Sequence, residues 1–213
     1  MIISSIILAA GVSKRFPGGK LLQVIKTDYG EKPLIKYLVE KFQSIEPISE
    51  IIVVLGHDKL RIMHAISDPS VKFVYNPDYM GGMSFSVKAG VEAVVKYADL
   101  VIIHPGDVPF IKVDTLKELV NRAINLYSEG GDFILIPRYG VKGGHPLIIS
   151  KNLIRYVLEI NEETRGLKGF LNRFRDKIIY HGTSDLGVLY DIDKPEDLEK
   201  AEELFKIKWV RNR

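Results

Sequence analysis

Two cations, a run of glycines and three aspartates hold the chemistry available to this sequence. Arg15 and Lys20 flank Phe16-Pro17-Gly18-Gly19 in a stretch that begins Leu8-Ala9-Ala10-Gly11-Val12-Ser13-Lys14. Small residues let the main chain approach a ligand closely, free N–H groups point at oxyanions, and cations neutralise their charge. A loop of this composition after an apolar strand suits a polyphosphate, with Arg15 as a two-pronged fork and Lys20 as a point charge. An ordinary basic strand-to-helix loop is the competing reading. The spacing excludes two familiar loops. Lys20 is followed by Leu21, so the Walker pattern is absent, and there is no Gly-x-Gly-x-x-Gly.

Asp107 lies in Pro105-Gly106-Asp107-Val108-Pro109, directly after the apolar run Leu100 to Ile103. Its hard oxygens suit Mg²⁺, which takes one or two protein carboxylates together with substrate phosphates. Capping of a helix that starts near Lys112 is the alternative. Asp191 and Asp193 supply a second carboxylate. The two are expected to face different ways, so that only one shares a metal with Asp107. Capping before Pro195 competes for each. Ser84 and Ser86, beside Gly81 and Gly82, suit the edge of a base or ribose, or the start of a helix. His145, in Gly143-Gly144-His145-Pro146, is either a ligand contact or structural. No histidine pair has metal-ligand spacing, and no nucleophile elbow or Ser/His/Asp order is present. Acid–base catalysis has no evident owner. That suits a reaction run by positioning and charge neutralisation.

These residues need a scaffold. With 213 residues, 46% hydrophobic and 27% charged, a single domain spanning 1–213 is predicted. The absence of cysteine excludes disulfides and thiolate sites, and a net charge of +3 suits an anionic small ligand rather than nucleic acid. No apolar run has transmembrane length and the first residues carry no basic leader region, so a soluble, cytoplasmic protein without a membrane partner is expected. Apolar, β-branched runs predict strands at 2–9, 50–55, 71–75, 100–103, 133–137, 145–149, 178–181 and 189–193. A short hairpin is predicted from 21–25 and 32–33 around Asp28-Tyr29-Gly30. Helical spacing predicts helices at 33–44, from an Asp58 cap through 66, at 84–97, at 113–127, from a Ser150 cap to 160, at 167–174, and at 196–206 after Pro195. The polar segment 161–169 reads as a loop and the basic tail 209–213 as frayed. Alternating strands and helices imply right-handed βαβ units and a mostly parallel sheet, with antiparallel strands entering after Ile136. Loops 9–20, 76–86 and 104–109 all follow strands, so they belong on the one rim where such sheets bind ligands.

The motifs, taken together, resemble the nucleotidyltransferases of the molybdenum cofactor type. Those that match are Leu8-Ala9-Ala10-Gly11-x-Ser13-x-Arg15 with Lys20, Asn76-Pro77-Asp78-Tyr79, Gly82-Met83-Ser84-x-Ser86-Val87-x-Ala89-Gly90, Gly106-Asp107-Val108-Pro109, Gly144-His145-Pro146 and Asp191-Ile192-Asp193-x-Pro195-Glu196-Asp197-Leu198. The match spans residue 3 to about 205. Leu-Ala-Ala-Gly, rather than Leu-Ala-Gly-Gly, points to the cytidylyl branch. The resemblance implies an α/β, single-domain, Rossmann-like three-layer nucleotidyltransferase fold, mostly parallel with an antiparallel portion in the C-terminal half. Residues 1–110 would mainly bind nucleotide; 111–206 would mainly bind acceptor and supply the second metal ligand. The implied activity is Mg²⁺-dependent transfer of CMP from CTP to a molybdopterin-type acceptor with release of pyrophosphate, a molybdoenzyme or its chaperone being a further partner. Arg15 and Lys20 would hold the triphosphate, and Asp107 and Asp193 the metal. Leu8, Ala9 and Ala10, with Gly11 and Ser13 of the same motif, would meet base and ribose; Gly82, Ser84 and Ser86 would line the nucleoside pocket, and His145 would contact ligand. GTP in place of CTP, a sugar phosphate as acceptor, and a cofactor-binding accessory protein without transfer activity are the alternatives. The sequence departs from the family in three places. The first loop is one residue longer before Lys20, His104-Pro105 introduces the acidic loop, and Thr164-Arg165-Gly166-Leu167-Lys168-Gly169 replaces the usual Gly-Asp-x-Gly-Ala-Arg.

Overall fold

The apolar run at the N-terminus forms the middle of a large sheet. Residues 1–28 and 30–211 are described in a computed structural model. Strand β1 (Ile3–Ala9) lies between β4 (Glu50–Leu55) and β6 (Leu100–Pro105), parallel to both. β5 (Val71–Tyr75) extends the sheet on one side. On the other side lie β9 (Leu147–Ser150), β7 (Ile134–Tyr139) and β10 (Ile178–Thr183), and β7 also pairs with β8 (Lys142–Gly143). β9 runs antiparallel to both β6 and β7, while β10 is parallel to β7. The predicted antiparallel portion is therefore a strand inserted into a parallel sheet, with the β7–β8 hairpin beside it. Among the described residues no helix is long and apolar enough to cross a membrane.

Side chains of successive strand residues point to opposite faces, so the apolar strands feed two cores. Ile3, Ile7, Ile51, Val53 and Ile102 pack under α1 (Leu34–Gln43), α2 (Lys59–Ile66) and α4 (Val113–Ser128). Ile6, Ile52, Val54, Val101 and Ile103 pack under α3 (Met83–Glu92), α5 (Lys151–Ile154) and α6 (Leu167–Arg173). A third core joins a small sheet of β2 (Val24–Thr27), β3 (Gly30–Pro33) and β11 (Lys208–Val210) to α7 (Pro195–Phe205). It includes Phe16, Ile25, Phe110, Ile192 and Leu198. Phe16 comes from the glycine loop, Phe110 from the loop after β6 and Ile192 from the segment before α7. One apolar cluster thus ties together the three stretches that carry Arg15, Asp107 and Asp193.

Several expectations are corrected. The run 189–193 is not a strand. A 3-10 turn at Leu186–Val188 leads into irregular chain, and Ile192 N–H donates to the Asp107 carbonyl (2.8 Å) instead of to a strand ladder. The tail is not frayed over Lys208–Val210, because β11 pairs with β2 and the Trp209 indole N–H donates to Gln23. The helix at 84–97 stops at Glu92, and the one after Ser150 has four α-helical residues followed by 3-10 turns. Neither predicted cap accepts a main-chain N–H of its helix through its side chain. Asp58 pairs with Arg61, and Ser150 Oγ accepts from Phe133 N–H. Tyr29, Asn212 and Arg213 lie outside the described residues.

Candidate active site

Beyond the carboxyl ends of β1 and β6 lies a cleft of about 340 Å³. Leu8, Ala9, Gly11, Ser13, Arg15, Lys20, Asp107 and Asp193 line it. The glycine loop that forms one wall is anchored by Phe16, whose ring is buried in the third core. Phe16 N–H donates to the Ser13 carbonyl and Gly19 N–H to the Phe16 carbonyl. Gly18 and Gly19 both have positive φ, 80° and 93°, which glycine adopts without strain. Arg61 donates to the Gly18 carbonyl (2.6 Å), and Gln23 to the carbonyls of Pro17 and Gly19. The longer loop is thus stitched to α2 and to the start of the small sheet.

The charged groups form a chain. Lys20 Nζ donates to Asp107 Oδ2 at 2.9 Å and lies 3.5 Å from Asp193 Oδ1. Arg15 Nη2 lies 3.4 Å from that same Asp193 oxygen. Lys20 is mostly covered, with 13% of its side chain exposed, whereas Asp107 and Asp193 keep 34% and 47%. Asp191 is exposed and lies outside the lining of the cleft; in a strand it would share a face with Asp193, and it is the irregular path of the chain around buried Ile192 that separates the two. Asp197, to which the sequence reading gave no role, accepts from the N–H groups of Asp193 (2.8 Å) and Lys194 (2.9 Å), and so fixes the turn that carries Asp193. The signal for it is the reach-back spacing of a capping box at a helix that opens with proline.

These carboxylates fit a divalent cation. Two hard-oxygen side chains already converge on one cationic nitrogen, and each keeps an open side for phosphate oxygens or water to complete a coordination shell. Among the described residues no group of three or more His, Asp or Glu converges. A metal here would take much of its shell from substrate.

The other candidates lie elsewhere. Ala10 is buried and outside the lining of the cleft. Ser86 Oγ accepts from the buried Asn76 amide (3.0 Å). Gly82, at φ 118°, lies against the Glu162 carboxylate, which accepts from Ser84 N–H (2.9 Å) and is held below the usual glutamate range first by that bond. Ser84 and His145 line a second cavity of about 600 Å³, with Ile136, Leu147, Leu171 and Tyr180 as apolar or aromatic walls and Arg165 and Lys168 as cations.

Two histidines lie beneath the acidic loop. His104 is fully buried, its Nε2–H donates to the Val108 carbonyl (2.7 Å), and its Nδ1 has no partner. Burial first, and then the neighbouring His145, pushes its pKa down to about 3. The neutral ring that results braces the loop. A depressed folded-state pKa means that the unfolded chain takes up the proton first. The stability from neutral His104 is therefore present above pH 6.5 and lost as pH falls towards 3. Between pH 7 and pH 5 this costs on the order of 2 kcal/mol. Urea unfolding at the two pH values is expected to show that loss in the wild type and a much smaller one in His104→Gln; equal losses would remove His104 as the cause.

Comparison with known proteins agrees with this architecture. The sequence pattern of the MobA-like NTP transferase domain matches residues 5–178. The molybdenum cofactor cytidylyltransferase of Escherichia coli (strain K12) is 24% identical over 204 residues, covering 95% of this chain and 97% of that protein. The bifunctional protein GlmU of Caldanaerobacter subterraneus subsp. tengcongensis is 34% identical over 170 residues, 77% of this chain; the match spans only 35% of that longer protein. Among solved structures, a nucleotidyl transferase from Methanothermobacter thermautotroptrophicus superposes with a TM-score of 0.77 at 23% identity, covering 96% of this chain and 98% of that one. The chain belongs to the MobA-like NTP transferase family and is a nucleotidyltransferase.

Proposed function

We propose that the protein transfers CMP from CTP to a molybdopterin-type acceptor and releases pyrophosphate, with Mg²⁺ as the metal. The observation that carries the nucleotide half is the charge chain Arg15–Asp193–Lys20–Asp107 at the mouth of a glycine-loop cleft. The near end-to-end match to the Escherichia coli cytidylyltransferase supports the acceptor.

In this reading the backbone of Leu8, Ala9, Gly11 and Ser13 meets base and ribose. Arg15 and Lys20 take the triphosphate, and Asp107 and Asp193 hold the metal. When bound, Mg²⁺ neutralises phosphate charge and lines up the two substrates. The acceptor's phosphate oxygen attacks the α-phosphorus, and the bond from that phosphorus to the bridging oxygen breaks. The electron pair leaves on pyrophosphate, where Arg15 and Lys20 balance the developing charge. No side chain has to take a proton, because the attacking oxygen is already anionic. The second cavity receives the acceptor. Its apolar walls suit a flat ring system, Arg165 and Lys168 suit an anionic group, and Ser84 and His145 face the acceptor rather than the nucleoside. Residues 1–110 then supply most of the nucleotide cleft, and 111–206 supply most of the acceptor cavity together with Asp193.

Pyrophosphate release should be measured with Mg²⁺, CTP or GTP, and molybdopterin cofactor. Release is expected with CTP, weaker with GTP, and absent without the acceptor. The 31% identity over 120 residues to a 2-C-methyl-D-erythritol 4-phosphate cytidylyltransferase of Clostridium tetani favours a second reading in which the acceptor is another phosphorylated molecule, such as a sugar phosphate. Release with CTP and a sugar phosphate, but not with molybdopterin, would replace the first reading by the second.

A further inference from the structure

The acidic loop after β6 is held from beneath by a lysine that the mechanism above does not use. Lys41, near the end of α1, donates from Nζ to the carbonyls of Pro109 (3.0 Å) and Ile111 (2.8 Å). The ammonium also lies 4.0 Å from the centre of the Tyr37 ring, one turn back on the same helix. Beside it, the buried Asp185 carboxylate accepts from the N–H groups of Lys112 (2.7 Å) and Gly187 (2.9 Å). Gly187 approaches the Phe110 carbonyl so closely that a Cβ there would lie 2.2 Å from it. Residues 109–112 are therefore gripped by a cation from α1 and an anion from the 184–188 turn. Asp107 stands two residues before the grip, its own carbonyl held by Ile192 N–H.

Burying an ammonium is costly unless its bonds are made, and here they are made to main chain. Burial pushes Lys41 down to about 7, against the pull of Asp185. The titratable groups facing it are Tyr37 on its own helix, Asp185 from the turn and His104 from β6. An apolar side chain would fill the site at lower cost but would leave the two carbonyls unheld. The expensive choice fixes the path of the backbone just beyond Asp107.

We propose that Lys41 is a positioning residue whose bonds to the Pro109 and Ile111 carbonyls hold the arch that presents Asp107 to the metal–triphosphate. This rests on Asp107 being a metal ligand, as read above. The test needs no acceptor. Mn²⁺ binding in the presence of CTP is followed by electron paramagnetic resonance in the full chain, alongside metal-free CTP binding and thermal unfolding. Lys41→Met is expected to weaken Mn²⁺ binding about tenfold, in the range seen when a ligand's outer support is removed, while metal-free CTP binding stays within about twofold. Lys41→Gln, a shorter neutral donor that reaches one carbonyl, is expected to fall between. A role in stability alone would lower the melting temperature and leave the Mn²⁺ affinity of the folded variant at the wild-type value. That wild-type affinity in folded Lys41→Met overturns the proposal, as it does in Lys41→Gln if the methionine variant fails to fold. Undiminished Mn²⁺ binding by Asp107→Asn would instead overturn the metal-ligand reading, and the Lys41 proposal with it.

Discussion

Asp107→Asn is expected to lower transfer by about a thousandfold or more, on the order of 4 kcal/mol of barrier, while the protein stays folded. The substitution keeps the shape of the side chain and removes the charge. Asparagine is a poor ligand for a hard cation, so in the proposed mechanism the loss falls on metal binding and on the charge balance of the transition state. The fold is expected to survive because little of it depends on this carboxylate, whose one ion pair among the described residues is with Lys20 and which is one-third exposed. The loop is held through its main chain: Gly106 N–H donates to Leu8 O, Ile192 N–H to Asp107 O and the His104 ring Nε2–H to Val108 O. Steady-state pyrophosphate release and a thermal melt, run on the same preparation, check both halves. Transfer at the wild-type rate would sink the metal role; a melting temperature lowered by tens of degrees would make Asp107 a structural residue.

Lys20→Ala is expected to lower kcat by about a hundredfold to a thousandfold. In the free protein the Lys20 ammonium lies between two carboxylates that would otherwise repel each other. In the proposed mechanism a cation in that position faces the β- and γ-phosphates, where charge grows as the α-phosphorus is attacked. Arg15 is more exposed and makes one longer contact to Asp193, so Arg15→Ala should cost less than Lys20→Ala. A kcat series over the two variants at saturating Mg²⁺ and CTP tests the ranking. A mild effect at Lys20 with a large one at Arg15 would hand the leaving group to the arginine. The alanine change should barely affect stability, since a partly exposed ion pair contributes on the order of 1 kcal/mol or less.

Local pattern was enough for most of the framework. The β-branched runs at 50–55 and 100–103 had one reading, because a buried parallel strand tolerates little else. The helix at 113–127 announced itself through Leu116, Leu119, Val120 and Ala123 on one stripe. The loops that follow these strands had to share a rim, so Arg15, Lys20 and Asp107 were legible as neighbours before any coordinates. Pattern failed where partners are remote. The run Leu189 to Asp193 alternates like a strand, but no neighbouring strand offers it a ladder, and Asp107 takes its amide instead. The tail reads as solvent-exposed charge, yet Trp209 pairs across a sheet with a segment nearly two hundred residues away. Ser84 and Ser86 sit at the start of a helix, where the sequence does not show which side faces a ligand; the fold turns Ser86 onto Asn76 and places Ser84 at the second cavity.

The glycine loop shows where the division falls. Its composition points to a cradle for anions, because small residues, free amides and spaced cations are what one is made of. The sequence also placed Asp107 at the end of a strand and offered Asp191 and Asp193 as its partners, but it was the irregular chain around Ile192 that brought Asp193 and not Asp191 to the cleft. Tertiary structure alone decided how these parts meet. Phe16, Phe110 and Ile192 come from three distant stretches and pack into one apolar cluster, drawing Arg15, Asp107 and Asp193 to a single cleft. The extra residue before Lys20 found its place through Arg61 and Gln23. Lys41, an unremarkable helix lysine in sequence, became the support of the acidic loop. Such contacts are set by the packing of remote apolar side chains, whose pairing depends on the whole topology and leaves no periodic trace in the residues nearby.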